Sequence, residues 1–307
     1  MILALAGGVG GARLARGLAA ILPEEKLTVA VNTGDDFEHL GLLVCPDIDT
    51  VCYTLAGVND PVQGWGLAGE SWAFMDALGG LGGEDWFRLG DRDLATHVLR
   101  TAMIGRQSLS EVTAVLARRM GVIHHVVPMS DDRVRTIVDT DEGVLAFQHY
   151  FVRRRAEPRF RSIRFDGIET AMPSPGLLAA LDDPALDAII LCPSNPVLSI
   201  APILALPGLR TRLAGRGVPI VAVSPFIRGR AVKGPAAKIM AELGIAPTPA
   251  GLAGWYDGLL DGIVIDRADA EEGDAGIPRL VTRTLMRTPD DQRRLAEESL
   301  AFARSLR

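Results

Sequence analysis

The first 31 residues carry the feature that most constrains the fold. Residues 1–6 are wholly apolar and run directly into the glycine cluster of residues 7–11, a pattern typical of a strand buried on both faces of a parallel sheet. Leu14, Leu18 and Leu22 follow at helical spacing, and a second apolar run occupies residues 27–31. A right-handed β-α-β unit is therefore predicted, which puts the glycine turn at the carboxyl edge of the sheet, where ligands of open α/β sheets bind.

Later apolar runs predict the rest of the sheet. They occupy residues 122–127, 188–192, 218–223 and 262–265, with helical stretches between most of them. Residues 134–139 and 144–152 flank the turn signal Asp141-Glu142-Gly143 and predict an antiparallel hairpin. We predict a three-layer, Rossmann-like α/β fold with a mainly parallel sheet, an added antiparallel hairpin and a helical subdomain. Residues 1–307 should form one elaborated α/β unit, with 130–170 as a hairpin-containing insertion.

Composition narrows the class of partner and the compartment. The net charge of −6 argues against a nucleic acid as partner but permits a small anionic substrate, which needs only local positive potential. Three cysteines, none in a CxxC pair, suit a reducing compartment. The sequence shows neither a signal-peptide pattern nor an apolar run long enough to cross a membrane, so a cytoplasmic location and no membrane association are expected.

The glycine cluster is the first candidate site. In GGVGGARLARGL, glycines let backbone amides approach an anion closely, and the N-terminus of the following helix favours negative charge. Gly8, Gly10, Gly11 and Arg13 are therefore candidate phosphate contacts. The third glycine of the dinucleotide fingerprint is replaced by Arg13, and no GK[ST] follows, so neither familiar fingerprint fits. A tight turn without a ligand is the alternative.

Carboxylates gather after the second strand. The stretch NTGDDFEHLGLLVCPDIDT brings Asp35, Asp36, Glu38, Asp47 and Asp49 beyond the carboxyl edge of the sheet. Carboxylates beside a phosphate loop repel unless a cation lies between them, which predicts Mg²⁺ and metal-assisted phosphate chemistry. Each aspartate could instead cap a helix or form a turn, and Asp49 followed by Thr50 could cap the next helix.

Aromatic residues follow in GWGLAGESW and WFRLGDRDLATH. Trp65, Trp72 and Trp86 fall within 22 residues, a density that suits a planar ring ligand with a polar rim. A tryptophan-filled edge of the core explains the pattern equally well. His97, on a predicted helix, is either functional or a buried structural group.

Two later loops offer polar and basic groups. Ser194 and Asn195 follow a buried strand and could contact a purine edge, although both are also common turn residues. Lys233 and Gly234 belong to a loop, rich in basic residues, that leads from another strand to a helix and could form a second phosphate cradle. The basic cluster of residues 153–164 is interpreted as a solvated or self-associating face rather than a substrate clamp.

These motifs together resemble one family, the 2-phospho-L-lactate transferases of coenzyme F-420 synthesis. The matching stretches are GGVGGAR, NTGDDFEHLGLLVCPDIDT, GWGLAGESW, WFRLGDRDLATH, CPSNPVLSI and SPFIRGRAVKGPAAKIM, in the family's order from Leu3 to about Met240. The resemblance implies transfer of a phospho-hydroxyacyl group (2-phospholactyl, phosphoenolpyruvyl or phosphoglyceryl) from its guanosine diphosphate conjugate to the ribityl hydroxyl of the deazaflavin Fo. Guanosine monophosphate would leave, Mg²⁺ would assist, and the enzyme would be a homodimer.

The resemblance also implies roles for individual residues. Asp36 and Asp49 would be catalytic and would hold Mg²⁺, with Asp35 as the substitute ligand and Asp49 also near the attacking hydroxyl. Fo would meet Trp86, Arg88 and Asp91 as well as Asp49. The residues implied for the nucleotide and its phosphates are Gly8, Gly10, Gly11, Arg13, Ser194, Asn195, Lys233 and Gly234. The identity of the hydroxyacid is left open.

Two alternatives compete with the transferase. A nucleotide-dependent Rossmann oxidoreductase would share the first β-α-β unit and an acidic residue after the second strand, but the missing third glycine counts against it. A non-catalytic, nucleotide-binding regulator of the same fold would not need the WFRLGDRDLATH segment.

Overall fold

The computed structural model describes residues 1–272 and 275–307. Its strands are β1 (Ile2–Ala6), β2 (Leu27–Val31), β3 (Phe37–His39), β4 (Leu42–Val44), β5 (His125–Pro128), β6 (Arg135–Thr140), β7 (Gly143–Ala146), β8 (Phe160–Asp166), β9 (Ala188–Leu191), β10 (Ile220–Val223), β11 (Phe226–Ile227), β12 (Arg230–Ala231), β13 (Gly262–Asp266) and β14 (Arg279–Thr282). Its α-helices are α1 (Gly8–Ala19), α2 (Pro46–Ala56), α3 (Ala73–Gly80), α4 (Asp91–Met103), α5 (Leu109–Arg119), α6 (Pro175–Asp182), α7 (Ala201–Leu204), α8 (Leu209–Ala214), α9 (Ala236–Glu242), α10 (Pro249–Trp255) and α11 (Pro289–Ser305). Shorter 3-10 turns span Glu24–Lys26 and Arg267–Asp269, and π-helical segments span His149–Arg153 and Pro196–Ile200.

A seven-stranded sheet organises the fold. Its strand order is β14-β13-β10-β9-β1-β2-β5, and each neighbouring pair is parallel. The chain first fills the side of β2 and β5, then returns to the other side of β1 and fills β9, β10, β13 and β14. The order therefore reverses between β1 and β9, the position at which open α/β sheets bind ligands. The glycine turn that follows β1 lies at this switch point.

Alternating side chains in β1 serve two hydrophobic layers. Leu3 and Leu5 pack into a core with helices α6 to α10 and with part of the three-stranded β7-β6-β8 sheet. Ile2, Ala4 and Ala6 face the opposite core, formed with α1, α2, α5 and α11. Because successive side chains of a strand point to opposite faces, a wholly apolar run is what a sheet covered on both faces requires. The predicted three-layer α/β fold is confirmed.

The predicted hairpin is real, but its second arm is shorter and a third strand joins it. β6 pairs antiparallel with β7 and with β8. The prediction that the arm extends to residue 152 was wrong, because strand pairing stops at Ala146 and the chain coils into the π-helical segment. Phe147 and Tyr150 are buried in the core at that turn. Strand β8 was missed because exposed arginines interrupt its apolar pattern.

A smaller helical unit packs beside the β3-β4 hairpin. Val44, Met75 and Leu89 form its core, and Phe37 and Phe87 pack against them. Helices α3 and α4 belong to this unit. It carries the tryptophan-rich segment toward the carboxyl edge of the sheet. Among the described residues, no helix combines the length and apolar character needed to cross a lipid bilayer.

Candidate active site

A cavity of about 580 Å³ opens at the carboxyl edge of the sheet, beside the switch point. Loops after β1, β2, β9 and β10 line it together with α2 and α4. Most of the predicted site residues meet there: Gly8, Gly10, Arg13, Asp35, Asp49, Trp86, Arg88, Ser194, Asn195, Lys233 and Gly234. The lining does not include Gly11, Asp36 or Asp91.

Tight packing explains the glycines of the turn. Gly8 has a positive φ of 62°, which favours glycine. A β-carbon on Gly10 would lie 2.2 Å from the carbonyl oxygen of Pro193, and one on Gly11 would lie 2.3 Å from Ser194 Oγ. The amide of Gly7 donates to Ser194 Oγ at 3.0 Å. The turn is thus pressed against the loop after β9, and Gly11 serves this packing rather than the cavity wall.

The side chain of Asp47, a residue of α2, lies against the N-terminus of α1. The amide of Gly8 donates to Asp47 Oδ1 at 2.7 Å, and Asn32 Nδ2 donates to Asp47 Oδ2 at 3.0 Å. A carboxylate therefore uses the amide of Gly8, the first residue of α1. The amides of Val9 and Gly10, also in the first helical turn, have no partner within the helix and lie at the cavity that both residues line.

Asp35 lies near Asp47, and both line the cavity. Burial, followed by the charge of Asp47, raises the pKa of Asp35 well above its ordinary value. Burial likewise raises the pKa of Asp47. Asp35 Oδ1 is buried and makes no hydrogen bond. Two carboxylates so placed favour a cation or a shared proton between them.

Asp49 has a cationic partner inside the protein. It lies in the first turn of α2, and Arg100 from α4 donates to both of its oxygens. His97 and Asp93 lie beside this pair, and candidate ligand atoms of Asp49, Asp93 and His97 all fall within 4.8 Å of one another. A metal ion would meet the Arg100 guanidinium at this cluster. The geometry therefore favours an internally neutralised carboxylate over a metal ligand.

Asp36 is buried behind the cavity. Burial raises its pKa to about 7, opposed by the positive charge of Arg135. Its Oδ1 makes no hydrogen bond. The tight turn between β2 and β3 directs Asp35 and Asp36 to different surroundings, and only Asp35 reaches the cavity.

Aromatic side chains form one wall. Trp65 and Trp86 line the cavity. The ring of Trp86 lies 4.6 Å from that of His149 and 5.4 Å from that of His39, both edge-on. Trp72 does not line the cavity and lies instead under the guanidinium of Arg88, 5.2 Å away. The cluster thus forms both an edge of the core and part of the cavity wall.

Two polar residues of the same segment differ in their surroundings. Arg88 lines the cavity and donates to Asp76 at 2.6 Å in a solvent-exposed pair. Asp91 accepts from Ser71 Oγ at 2.5 Å and from the amides of Ala73 and Phe74. Asp91 therefore satisfies the free amides at the start of α3, outside the cavity.

The loops that carry Asn195 and Lys233 also line the cavity. Asn195 Oδ1 accepts from the amides of Val197 and Leu198 at 3.0 and 3.1 Å, so any ligand contact falls to its amide nitrogen. Lys233 Nζ donates to the carbonyls of Val62 and Gln63. Burial and then the charge of Arg13 lower the pKa of Lys233. Lys233 therefore links the loop after β12 to the loop that contains Val62 and Gln63.

Four lining residues come from the insertion and were missed by the sequence interpretation: Phe147, Gln148, Phe151 and Val152. Gln148 Nε2 donates to the carbonyl of Asp35 at 3.1 Å. The rings of Phe147 and Phe151 stack at 5.3 Å. Arg100 was also missed. These residues carry no local motif, and their approach to the cavity depends on tertiary packing.

Comparison with known proteins identifies the family of this chain. The model of the family described as 2-phospho-L-lactate transferase CofD matches residues 2–292. The chain belongs to this family. The family assignment favours a transferase over the oxidoreductase alternative.

Curated relatives extend over nearly the whole chain. A phosphoenolpyruvate transferase of Streptomyces griseus is 43% identical over 317 aligned positions, covering 100% of this chain and 99% of the relative. A 2-phospho-L-lactate transferase of Methanopyrus kandleri is 40% identical, covering 98% and 97%. The enzyme is therefore a transferase of this phosphoenolpyruvate and 2-phospholactate class.

A solved structure shares the fold. A member of the UPF0052 family from Bacillus halodurans has a TM-score of 0.63 at 15% identity, covering 97% of this chain and 98% of the other. At this identity the likeness concerns architecture alone. It agrees with the three-layer fold.

Proposed function

We propose that the enzyme transfers a phosphoenolpyruvyl, 2-phospholactyl or phosphoglyceryl group from its guanosine diphosphate conjugate to the ribityl hydroxyl of Fo, in coenzyme F-420 biosynthesis. The hydroxyl oxygen forms a bond to the phosphorus next to the hydroxyacid. The bond from that phosphorus to the oxygen of guanosine monophosphate breaks, and the hydroxyl proton is lost. A single cavity that joins the glycine turn, the carboxylates, the tryptophan wall and the basic loop carries this proposal.

The cavity offers one region for each substrate. Trp86 and Arg88 would contact the deazaflavin ring, since a planar ring suits an aromatic wall with a cationic rim. The amides of Val9 and Gly10 together with Arg13 and Lys233 would receive the phosphates. Asn195 would meet the guanosine. Asp49 also lines the cavity, and its carboxylate would accept the hydrogen bond of the attacking hydroxyl and align it.

The carboxylates near α1 fit Mg²⁺, on the observation that Asp35 Oδ1 is buried without a partner while Asp47 lies close by. Asp35 and Asp47 would hold the ion, which would neutralise charge on the phosphoryl oxygens. Asp36 and Asp49 support this role less well, because Asp36 lies outside the lining and Asp49 is paired with Arg100. The residues of the chain then orient both substrates and exclude water.

The deciding experiment incubates purified enzyme with Fo, magnesium chloride and each guanylylated donor in turn. Mass spectrometry should detect the coupled product and guanosine monophosphate in equal amounts with at least one donor, and chelation of the metal should abolish both. The enolpyruvyl donor is tested first, because relatives named for phosphoenolpyruvate reach 43% identity. No product with any of the three donors would refute the proposal.

A further inference from the structure

Arg100 is a buried cation that does not reach the cavity. It lies on α4, is 1% exposed, and its Nη1 donates to Asp49 Oδ2 at 3.1 Å while Nη2 donates to Oδ1. Nη1 also donates to the carbonyl of Leu43 at 3.3 Å. The desolvation of such a pair offsets much of its attraction, so an apolar pair of similar volume would stabilise the fold about as well. Stability alone is therefore a weak reason for this arrangement.

A second layer holds Arg100 from behind. His97 Nδ1 lies 3.2 Å from Arg100 Nη1. A guanidinium can only donate, so Nδ1 accepts and the proton of the neutral ring is on Nε2. His97 Nε2 lies 3.3 Å from Asp93 Oδ2 without forming a hydrogen bond, and Tyr53 donates its hydroxyl hydrogen to Asp93 Oδ1 at 2.5 Å. These contacts leave the guanidinium few alternative positions.

The position of the network relative to the cavity suggests what it does. Asp49, Tyr53, Asp93 and His97 line the cavity, whereas Arg100 is absent from the lining. Arg100 can therefore influence a ligand through the Asp49 carboxylate and not by contact. A bidentate guanidinium fixes the plane of a carboxylate, which decides where its outward lone pairs point.

We propose that Arg100 is a positioning residue that orients the Asp49 carboxylate toward the attacking hydroxyl of the acceptor, with Tyr53, Asp93 and His97 holding Arg100 in place. This inference depends on the proposed function for the identity of the acceptor. It predicts that Arg100 contributes to turnover only while Asp49 is a carboxylate. Groups that act as a unit show non-additive losses when both are changed.

The test is a double-mutant cycle with Arg100→Lys and Asp49→Asn. Lysine keeps the positive charge but loses the bidentate geometry, so kcat should fall about 30-fold or more, as expected for misalignment of a reacting group. The KM for the guanylylated donor should change less than twofold. In the Asp49→Asn background, Arg100→Lys should lower kcat less than twofold further. Multiplied losses, or an unchanged kcat in Arg100→Lys, would overturn the inference.

Controls separate positioning from stability. Arg294→Lys changes a partly buried Arg–Glu pair, that of Arg294 with Glu298, which is absent from the cavity lining, and should leave kcat unchanged. Circular dichroism checks folding of each variant. If Asp49→Asn does not fold, the kcat and donor KM of Arg100→Lys decide alone. If Arg100→Lys does not fold, Tyr53→Phe decides: a lowered kcat with unchanged donor KM supports the inference, and an unchanged kcat contradicts it.

Fo binding gives a readout independent of turnover. Fluorescence titration of Fo should show weaker binding to Arg100→Lys and to Asp49→Asn, with no additional loss in the double variant. A wild-type enzyme that binds Fo but makes no product would refute the proposed function and leave this cycle measurable by binding. An active wild-type enzyme with multiplicative losses would refute only the role of Arg100.

Discussion

The amide of Gly8 donates a 2.7 Å hydrogen bond to Asp47 Oδ1 at the start of α1. This contact puts a negative side chain where the glycine turn would otherwise present a free amide to phosphate. An anion that binds at the N-terminus of α1 is therefore repelled by the Asp47 carboxylate. Cation binding near Asp35 and Asp47 is therefore expected to favour nucleotide binding.

Substitution Asp47→Asn tests this coupling. Asparagine keeps an acceptor for the Gly8 amide and removes the charge, so guanosine monophosphate should bind about fivefold to tenfold tighter without Mg²⁺, equivalent to about 1–1.4 kcal/mol. The gain that Mg²⁺ gives the wild type should shrink. Isothermal titration calorimetry with and without the metal measures both. Asp36→Asn, outside the cavity lining, should keep the wild-type response to Mg²⁺, and an equal loss there would contradict the assignment.

Substitution Gly10→Ala tests the packing of the turn. The added β-carbon would lie 2.2 Å from the carbonyl oxygen of Pro193, which forces the turn away from the loop after β9. We expect a loss of about 1–3 kcal/mol in the free energy of unfolding and weaker nucleotide binding. Urea denaturation measures the first. In Gly254→Ala a β-carbon would have no heavy atom within 4 Å, so this helical control should be neutral or more stable.

Substitution Arg88→Ala tests the acceptor wall. Loss of this cation from the cavity lining should weaken Fo binding about tenfold, near 1.4 kcal/mol. The melting temperature should change little, because the pair with Asp76 is exposed. Arg212→Ala is a matched control, since the pair of Arg212 with Asp182 has similar exposure and lies away from the cavity lining. Equal Fo affinity in both variants would exclude Arg88 from the acceptor site.

The buried carboxyl of Asp36 predicts a pH dependence of stability. Its pKa is raised from 3.8 to about 7 by burial, so the folded state binds this proton more tightly than the unfolded state. The associated stability is present below about pH 4 and is lost as the pH rises through about 7. The shift corresponds to at most about 4 kcal/mol. Asp36→Asn should flatten the fall in unfolding free energy between pH 5 and 8.

Urea denaturation at pH 5 and pH 8 measures this effect. Asp182→Asn, at an exposed ion pair, is the control and should retain the wild-type slope. A slope unchanged in Asp36→Asn would show that Asp36 does not titrate in this range.

Local patterns were sufficient for six of the seven strands of the parallel sheet, all except β14, and for much of the site. The sequence predicted β1, the glycine turn and helix α1, because a strand buried on both faces has no polar position and therefore appears as a continuous apolar run. The shared carboxyl edge then predicted that Asp35, Asp49, Ser194 and Lys233 would meet in one cavity, as they do. Strand β8 was not predicted, because the exposed Arg161 and Arg164 interrupt its alternation of apolar and polar residues.

The roles within the acidic cluster were decided by tertiary structure. Asp35 and Asp36 are adjacent in sequence, yet one lines the cavity and the other is buried beside Arg135. Asp49 acquires its partner from Arg100, 51 residues away. Sequence determined that carboxylates would gather at the edge of a parallel sheet, since strand direction and strand ends are local properties. Only the folded chain decided which carboxylate faces a ligand and which faces a guanidinium, because those contacts depend on how α2, α4 and the insertion pack together.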